Sequence, residues 1–127
     1  MAFTTHTTKL PHKGVQEEKQ HGYISKSVSW LAAELAIADV VAAPAAGYQI
    51  VVHALHLEQD SLAANVLFDG ATAITAFYDL LATGSHTLSF SKVGWFACAA
   101  ATALRLDPNN GVAGNGSLTV VYSIQKA

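Results

Sequence analysis

Hydrophobic and polar positions along this chain alternate with a period of two in short runs, separated by glycine, proline, aspartate and asparagine, and such a pattern predicts β-strands. The most organised stretch is 47–75, GYQIVVHALHLEQDSLAANVLFDGATAIT. β-Branched and aromatic residues crowd Tyr48 to Leu57, between Gly47 and the polar Glu58-Gln59-Asp60-Ser61. A second run, Ala63 to Asp69, follows closely. So short a connection predicts an antiparallel hairpin, because a parallel crossover needs a dozen residues or more. The first run is apolar on both faces: Tyr48, Ile50, Val52 and Ala54 on one, Val51, His53, Leu55 and Leu57 on the other. A strand in a small antiparallel domain normally has one polar face. The sequence therefore implies that another subunit covers the face of Val51, His53, Leu55 and Leu57.

The other elements are shorter. Leu31 to Ala46 is rich in alanine and leucine, which suits a helix. Ser29 is followed three residues later by Ala32, so no capping box opens one. The alternation of Glu34, Ala36, Ala38 and Val40 with Leu35, Ile37, Asp39 and Val41 fits a strand equally, and the strand is favoured, with Pro44 closing it. Asp69-Gly70 predicts a turn into a strand over Ala71 to Ala76, with Phe77 to Ser85 as loop or a single helical turn. Strands are also expected at His86 to Phe90, from Gly94-Trp95-Phe96 through Ala99, and at Leu104 to Leu106. Asp107-Pro108-Asn109-Asn110-Gly111 reads as a turn, and SLTVVYSI, Ser117 to Ile124, is the clearest strand of all. The fold class expected is all-β, an antiparallel β-sandwich or jelly roll of roughly seven or eight strands.

Residues 1–29 differ in kind. They hold three of the six histidines, four lysines and Glu17-Glu18 among threonines, with hardly any apolar periodicity. Such a segment cannot form a core alone, and it is expected to be an extended N-terminal arm, dispensable for folding from Met1 to about Ser25, leaving the sandwich domain at 30–127. Tyr23, Ile24, Val28 and Trp30 are expected to anchor the arm where it joins that domain.

A length of 127 residues bounds the chain to one domain. Its 51% hydrophobic and 13% charged composition is drier than the roughly 25% charged usual for soluble chains, which again points to extra buried surface. A net charge of -2 gives no basic footprint for nucleic acid. The N-terminus has no apolar segment of the secretory kind, and Leu31 to Ala46 is too short and too interrupted to span a bilayer, so a soluble protein made in a cytoplasm is expected. The single cysteine, Cys98, lies among alanines and reads as a small buried hydrophobe.

Candidate chemistry is sparse. His6, His12 and His21 are spaced neither as a helical pair nor as a zinc finger. His53 and His56, three apart on a strand, should point to opposite faces and so share no metal. Asp60, Asp69, Asp79 and Asp107 fall in expected turns. Neither a Gly-x-Ser-x-Gly elbow nor a phosphate-binding or dinucleotide glycine loop is present. No enzyme activity, metal or organic cofactor is expected. In Trp95-Phe96 and Phe77-Tyr78, one ring of each pair belongs to the core by strand geometry, and the other is free for a subunit interface or a sugar.

The succession GYQIVVHALHL, NVLFDGATAIT, a Gly-Trp-Phe strand, ALRLDPN and a glycine-led SLTVVYSI resembles the small β-sandwich structural proteins of tailed bacteriophages, including the trimeric capsid decoration or cement proteins. The likeness covers about Leu35 to Ile124 and lies in pattern and turn order. It implies a virion structural protein, a homotrimer on the capsid surface, with the major capsid protein as partner and no direct role for nucleic acid or membrane. The arm looks like those with which cement proteins hold neighbouring shell subunits, and Lys9, Lys13, Lys19 and Tyr23 are the expected shell-binding residues. The alternative expectation is a receptor- or glycan-binding head domain of a fibre or spike, using exposed aromatics and loops such as Asp107 to Gly116.

Overall fold

The structure is a computed structural model and describes residues 4–9, 22–31, 36–59, 64–74, 84–110 and 115–127. Those residues contain no helix and form ten strands: β1 (Thr4–Lys9), β2 (Ile24–Trp30), β3 (Ala38–Val41), β4 (Tyr48–Gln59), β5 (Ala64–Asp69), β6 (Thr72–Ile74), β7 (Gly84–Leu88), β8 (Phe96–Ala97), β9 (Leu104–Asn110) and β10 (Gly116–Lys126). Two antiparallel sheets result. Sheet A runs β1-β2-β10-β4-β7, with β8 also on β4, and sheet B runs β3-β9-β5-β6. The expected β-sandwich is what the chain forms.

Its core is one cluster drawn from both sheets. Sheet A contributes Val28 and Trp30 from β2, Ile50, Val52, Leu55 and Leu57 from β4, and Leu118, Val120 and Tyr122 from β10. Sheet B contributes Val40 and Val41, Leu67, Leu104 and Leu106, and Cys98 joins from the segment after β8. Each such aliphatic side chain, fully buried, stabilises by about 1.5–3 kcal/mol.

β4 shows how its apolar residues are used. In its pairing with β10, Ala54 faces Val121 and Val52 faces Tyr122, so His53 is an extra residue and the strand carries a β-bulge there. Side-chain parity reverses at the bulge. Even positions, Ile50 and Val52, point inward before it, and odd positions, Leu55 and Leu57, point inward after it. The two apolar faces expected of an unbroken strand are therefore mostly one core face.

Three further expectations are corrected. β4 and β5 are not a hairpin: they lie in different sheets, with β4 beside β10, β7 and β8, and β5 beside β9 and β6. The turn expected at Asp107 to Gly111 is strand as far as Asn110, the last described residue there. β9 pairs Asn110 with Ala64 and Asp107 with Val66, and the irregularity between those pairs accommodates Pro108, which donates no ladder hydrogen bond. Finally, a boundary at residue 29 falls inside β2, which sits between β1 and β10 in sheet A, with Val28 and Trp30 almost wholly buried. The signal was present in ISKSVSW, where Ile24, Lys26, Val28 and Trp30 alternate with three serines. Residues 10–21 lie outside the described residues.

Candidate functional site

The side of sheet A turned away from sheet B gathers most of the polar chemistry of the described residues. Part of it is covered by the chain itself. After β7 the chain runs on along the same edge of β4, where Ser91 N–H donates to His53 O, Trp95 N–H to Val52 O and Cys98 N–H to Ile50 O, each at 2.8 Å, and its turn at Gly94 lies over the outward side chains of Val51 and His53. Gly94 makes the close approach possible. It has φ +102°, and a Cβ there would stand 2.5 Å from Val51 Cγ1, so only glycine both adopts the angle and fits the space.

Beneath this cover His53 is fully buried. Its Nδ1 lies 2.8 Å from the Ser91 carbonyl, which can only accept, so Nδ1 carries the proton. Nε2 therefore accepts the Ser123 hydroxyl at 2.7 Å, and Gln125 Nε2 donates to that same oxygen at 3.0 Å. Tyr23 meets the imidazole edge-on at 4.9 Å and Phe90 edge-on at 5.1 Å, and Phe90 stacks on His53 at 5.9 Å. The bulge thus aims a histidine out of the sheet, and the chain's own loop and aromatics enclose it.

The remainder of the outer face is open and polar. Strand registers align His6, Ser27, Thr119, His56 and Thr87 in one row across five strands, and Thr4, Ser29, Ser117, Glu58 and Ser85 in the next. Ser27 Oγ and Thr119 Oγ1 are 2.9 Å apart. His56 Nδ1 lies 2.7 Å from Thr87 Oγ1, and its Nε2 lies 2.9 Å from Glu58 Oε2. Thr87, His56 and Glu58 thus have the connectivity of a hydroxyl–imidazole–carboxylate relay. They stand on an exposed sheet, with the His56 and Glu58 side chains 42% and 58% accessible, where water competes with each group. A relay gains its strength from a dry, enclosed site. On an open face the same groups offer donors and acceptors to a ligand.

Beside these rows the covering loop exposes apolar side chains: Phe90 at 54%, Val93 at 87% and Trp95 at 51%. Alternation sends Phe96 against the core and leaves Trp95 on the outer side. The Trp95 indole N–H donates to Ser89 O at 2.6 Å, which fixes the ring's orientation.

A second polar arrangement lies at the margin of sheet B. Both Asp69 carboxylate oxygens lie 3.1 Å from Ala99 N, whose N–H they accept. Burial, and then the charge and hydrogen bond of Asp69, push the Cys98 thiol up to about 12, so the thiolate is suppressed. Arg105 pairs with Asp39 at 3.1 Å on the surface. Exposed pairs of this kind contribute only about 0–1 kcal/mol.

The residues singled out from sequence are placed as follows. Val51, His53, Leu55 and Leu57 are all buried within the single chain, so none is available to meet a subunit. Leu55 and Leu57 face sheet B, while Val51 and His53 lie under the loop around Gly94. His53 and His56 share the outer face because the bulge reverses parity between them, yet each is held by different partners. Among the described residues no group of three or more His, Cys, Asp and Glu is placed to hold a metal. Lys9 ends β1, Tyr23 is half-buried against His53 and Phe90, and Lys13 and Lys19 lie outside the described residues. The aligned outer rows escaped the sequence, since they exist only once the registers of five strands are known. No protein-family model matches the chain, and no curated protein matches it.

Proposed function

We propose that the chain is a virion structural protein, a capsid decoration protein that binds the assembled phage head and stabilises it against the pressure of the packaged genome. The observation that carries this is the use the fold makes of the segments that resemble such proteins. GYQIVVHALHL runs into and along β4, NVLFDGATAI covers β5 and β6, Gly-Trp-Phe leads into β8, ALRLDPN opens β9 and SLTVVYSI lies in β10, all in one two-sheet sandwich. A rigid sandwich suits a passive clamp. Binding the assembled shell in preference to its free subunits stabilises the shell by mass action.

The major capsid protein is the proposed partner, and β1, paired only with β2 among the described strands, is the proposed point of attachment, with Lys9 at its end. An edge strand presents unpaired backbone groups to a neighbouring chain. Lys13 and Lys19 belong to the same proposed contact, whereas Tyr23 acts by packing β2 onto the domain. A homotrimer is part of the proposal for its avidity on a repeating lattice, not because of β4, whose apolar residues the chain covers itself. The test adds purified protein to DNA-filled heads that lack it and follows genome release on heating. Release should move to higher temperature as copies bind. Heads that gain no heat resistance at saturation, or free shell subunits that bind as tightly as heads, would refute the proposal.

A further inference from the structure

We infer that the outer face of sheet A is a binding site for a neutral saccharide, in which Trp95 stacks under one sugar ring and Thr87, His56 and Glu58 hydrogen-bond its hydroxyls or those of the next unit. This activity goes beyond decoration of a head and does not depend on it. Three features of the face converge on it.

The first is a fixed, exposed aromatic. Leaving half of a tryptophan in water forgoes burial worth about 25 cal/mol per Å², yet the ring is held there by its indole bond to Ser89 O at 2.6 Å and by the Gly94 turn packed onto Val51. Phe90 beside it is likewise held, edge-on to Tyr23. Rigid aromatics with two side-chain torsions give contact area at small entropic cost. The apolar C–H face of a pyranose is the complement of such a ring.

The second is the polar set alongside. Thr87 lies two residues before Ser89, so the row begins roughly 7 Å, two strand rises, from the carbonyl that anchors Trp95. Sugar hydroxyls both donate and accept. Thr87 offers a hydroxyl, His56 an imidazole and Glu58 a carboxylate, already joined to one another at 2.7 and 2.9 Å. Small side chains on a sheet are oriented before any ligand arrives, which lowers the cost of binding.

The third is charge. In the two aligned rows the charged group is the Glu58 carboxylate, and the exposed cation of the covering loop is Lys92. A sulfated or sialylated glycan would approach an anion with no cluster of arginines or lysines among the described residues of this face to receive it, so the uncharged hydroxyls of a neutral sugar are the better match.

The experiment titrates the full-length 15N-labelled chain with cellohexaose, maltohexaose, mannohexaose and chitohexaose at millimolar concentration, and with sialyllactose and a heparin hexasaccharide. At least one neutral oligosaccharide should shift the Trp95 indole signal together with the amides of His56, Glu58 and Thr87. Trp95→Ala should weaken that binding about tenfold or more, and Thr87→Val, nearly isosteric, should weaken it while the spectrum shows an intact fold. The inference is overturned by silence with every neutral probe, by binding of the anionic probes only, by shifts confined to another surface, or by variants that bind like the parent chain. No head particle is used, so this result and that of the heat-release test are independent.

Discussion

Replacing His53 by phenylalanine tests the account of β4 at its pivotal residue. Phenylalanine retains a ring of similar shape, so packing against Tyr23 and Phe90 is largely kept while both imidazole hydrogen bonds are lost. The Ser91 carbonyl loses its Nδ1 donor at 2.8 Å and the Ser123 hydroxyl loses its Nε2 acceptor at 2.7 Å. A buried group left unsatisfied costs about 1–3 kcal/mol. Ser91 is only partly buried and the Ser123 oxygen still accepts from Gln125, which places each loss toward the lower end. The expected total is about 2–4 kcal/mol, a large part of the roughly 5–15 kcal/mol of a typical domain. Ser123→Ala should cost about 1–2 kcal/mol, and the double variant should fall short of the sum by about 1 kcal/mol, because the two share one bond. Urea unfolding of the four proteins, with the m-value checked for constancy, gives these numbers. A His53→Phe change below about 0.5 kcal/mol would show that the imidazole does not fasten the loop to the bulge, and full additivity with Ser123→Ala would show that it does not hold the Ser123 hydroxyl.

Other outcomes follow from the same structure. Gly116→Ala should destabilise by about 1–3 kcal/mol in urea unfolding, since the new Cβ would collide with the Trp30 ring and lie 2.8 Å from Glu58 O. Cys98 should resist a thiol reagent at pH 8 until the chain unfolds. Its raised pKa means that the folded state holds the thiol proton more tightly than the unfolded state. That stability is full below about pH 9 and is lost as pH rises towards about 12, so alkaline unfolding should be milder in Cys98→Ala. Burial also raises the pKa of Asp107, so its ionised form is disfavoured by folding and its contribution to stability improves as pH falls. Asp107→Asn should therefore raise the melting temperature at pH 7 and do so less at pH 4.

The strands were largely legible in the sequence because alternation and turn residues act locally. β10 shows this best: Leu118, Val120 and Tyr122 alternate with polar or half-buried positions and all three reach the core. What sequence concealed was register. The bulge at His53 depends on how β4 lies against β10, and without it the strand has two apolar faces, one of which would need a subunit to cover it. The same limit hid the aligned row of His6, Ser27, Thr119, His56 and Thr87, which are scattered over 82 positions of the chain and adjoin only through pairing. The link from β4 to β5 misled because short connections usually join paired strands, whereas here the chain passes from one sheet to the other. β2 resembles an arm in composition because its serines and Lys26 outweigh its apolar residues, although the period of two in ISKSVSW places Val28 and Trp30 inward. At Pro108 turn chemistry was overridden by an irregular pairing that leaves room for a residue without an N–H.

The proposed function is tested most directly by an image of the protein on its particle. Cryo-electron microscopy of intact virions at a resolution that shows strands should place the two-sheet sandwich at many equivalent sites over the head, in fixed ratio to the shell protein and with β1 toward it. Copies confined to a tail, fibre or single vertex, or particles without the protein, would contradict the assignment to the capsid surface.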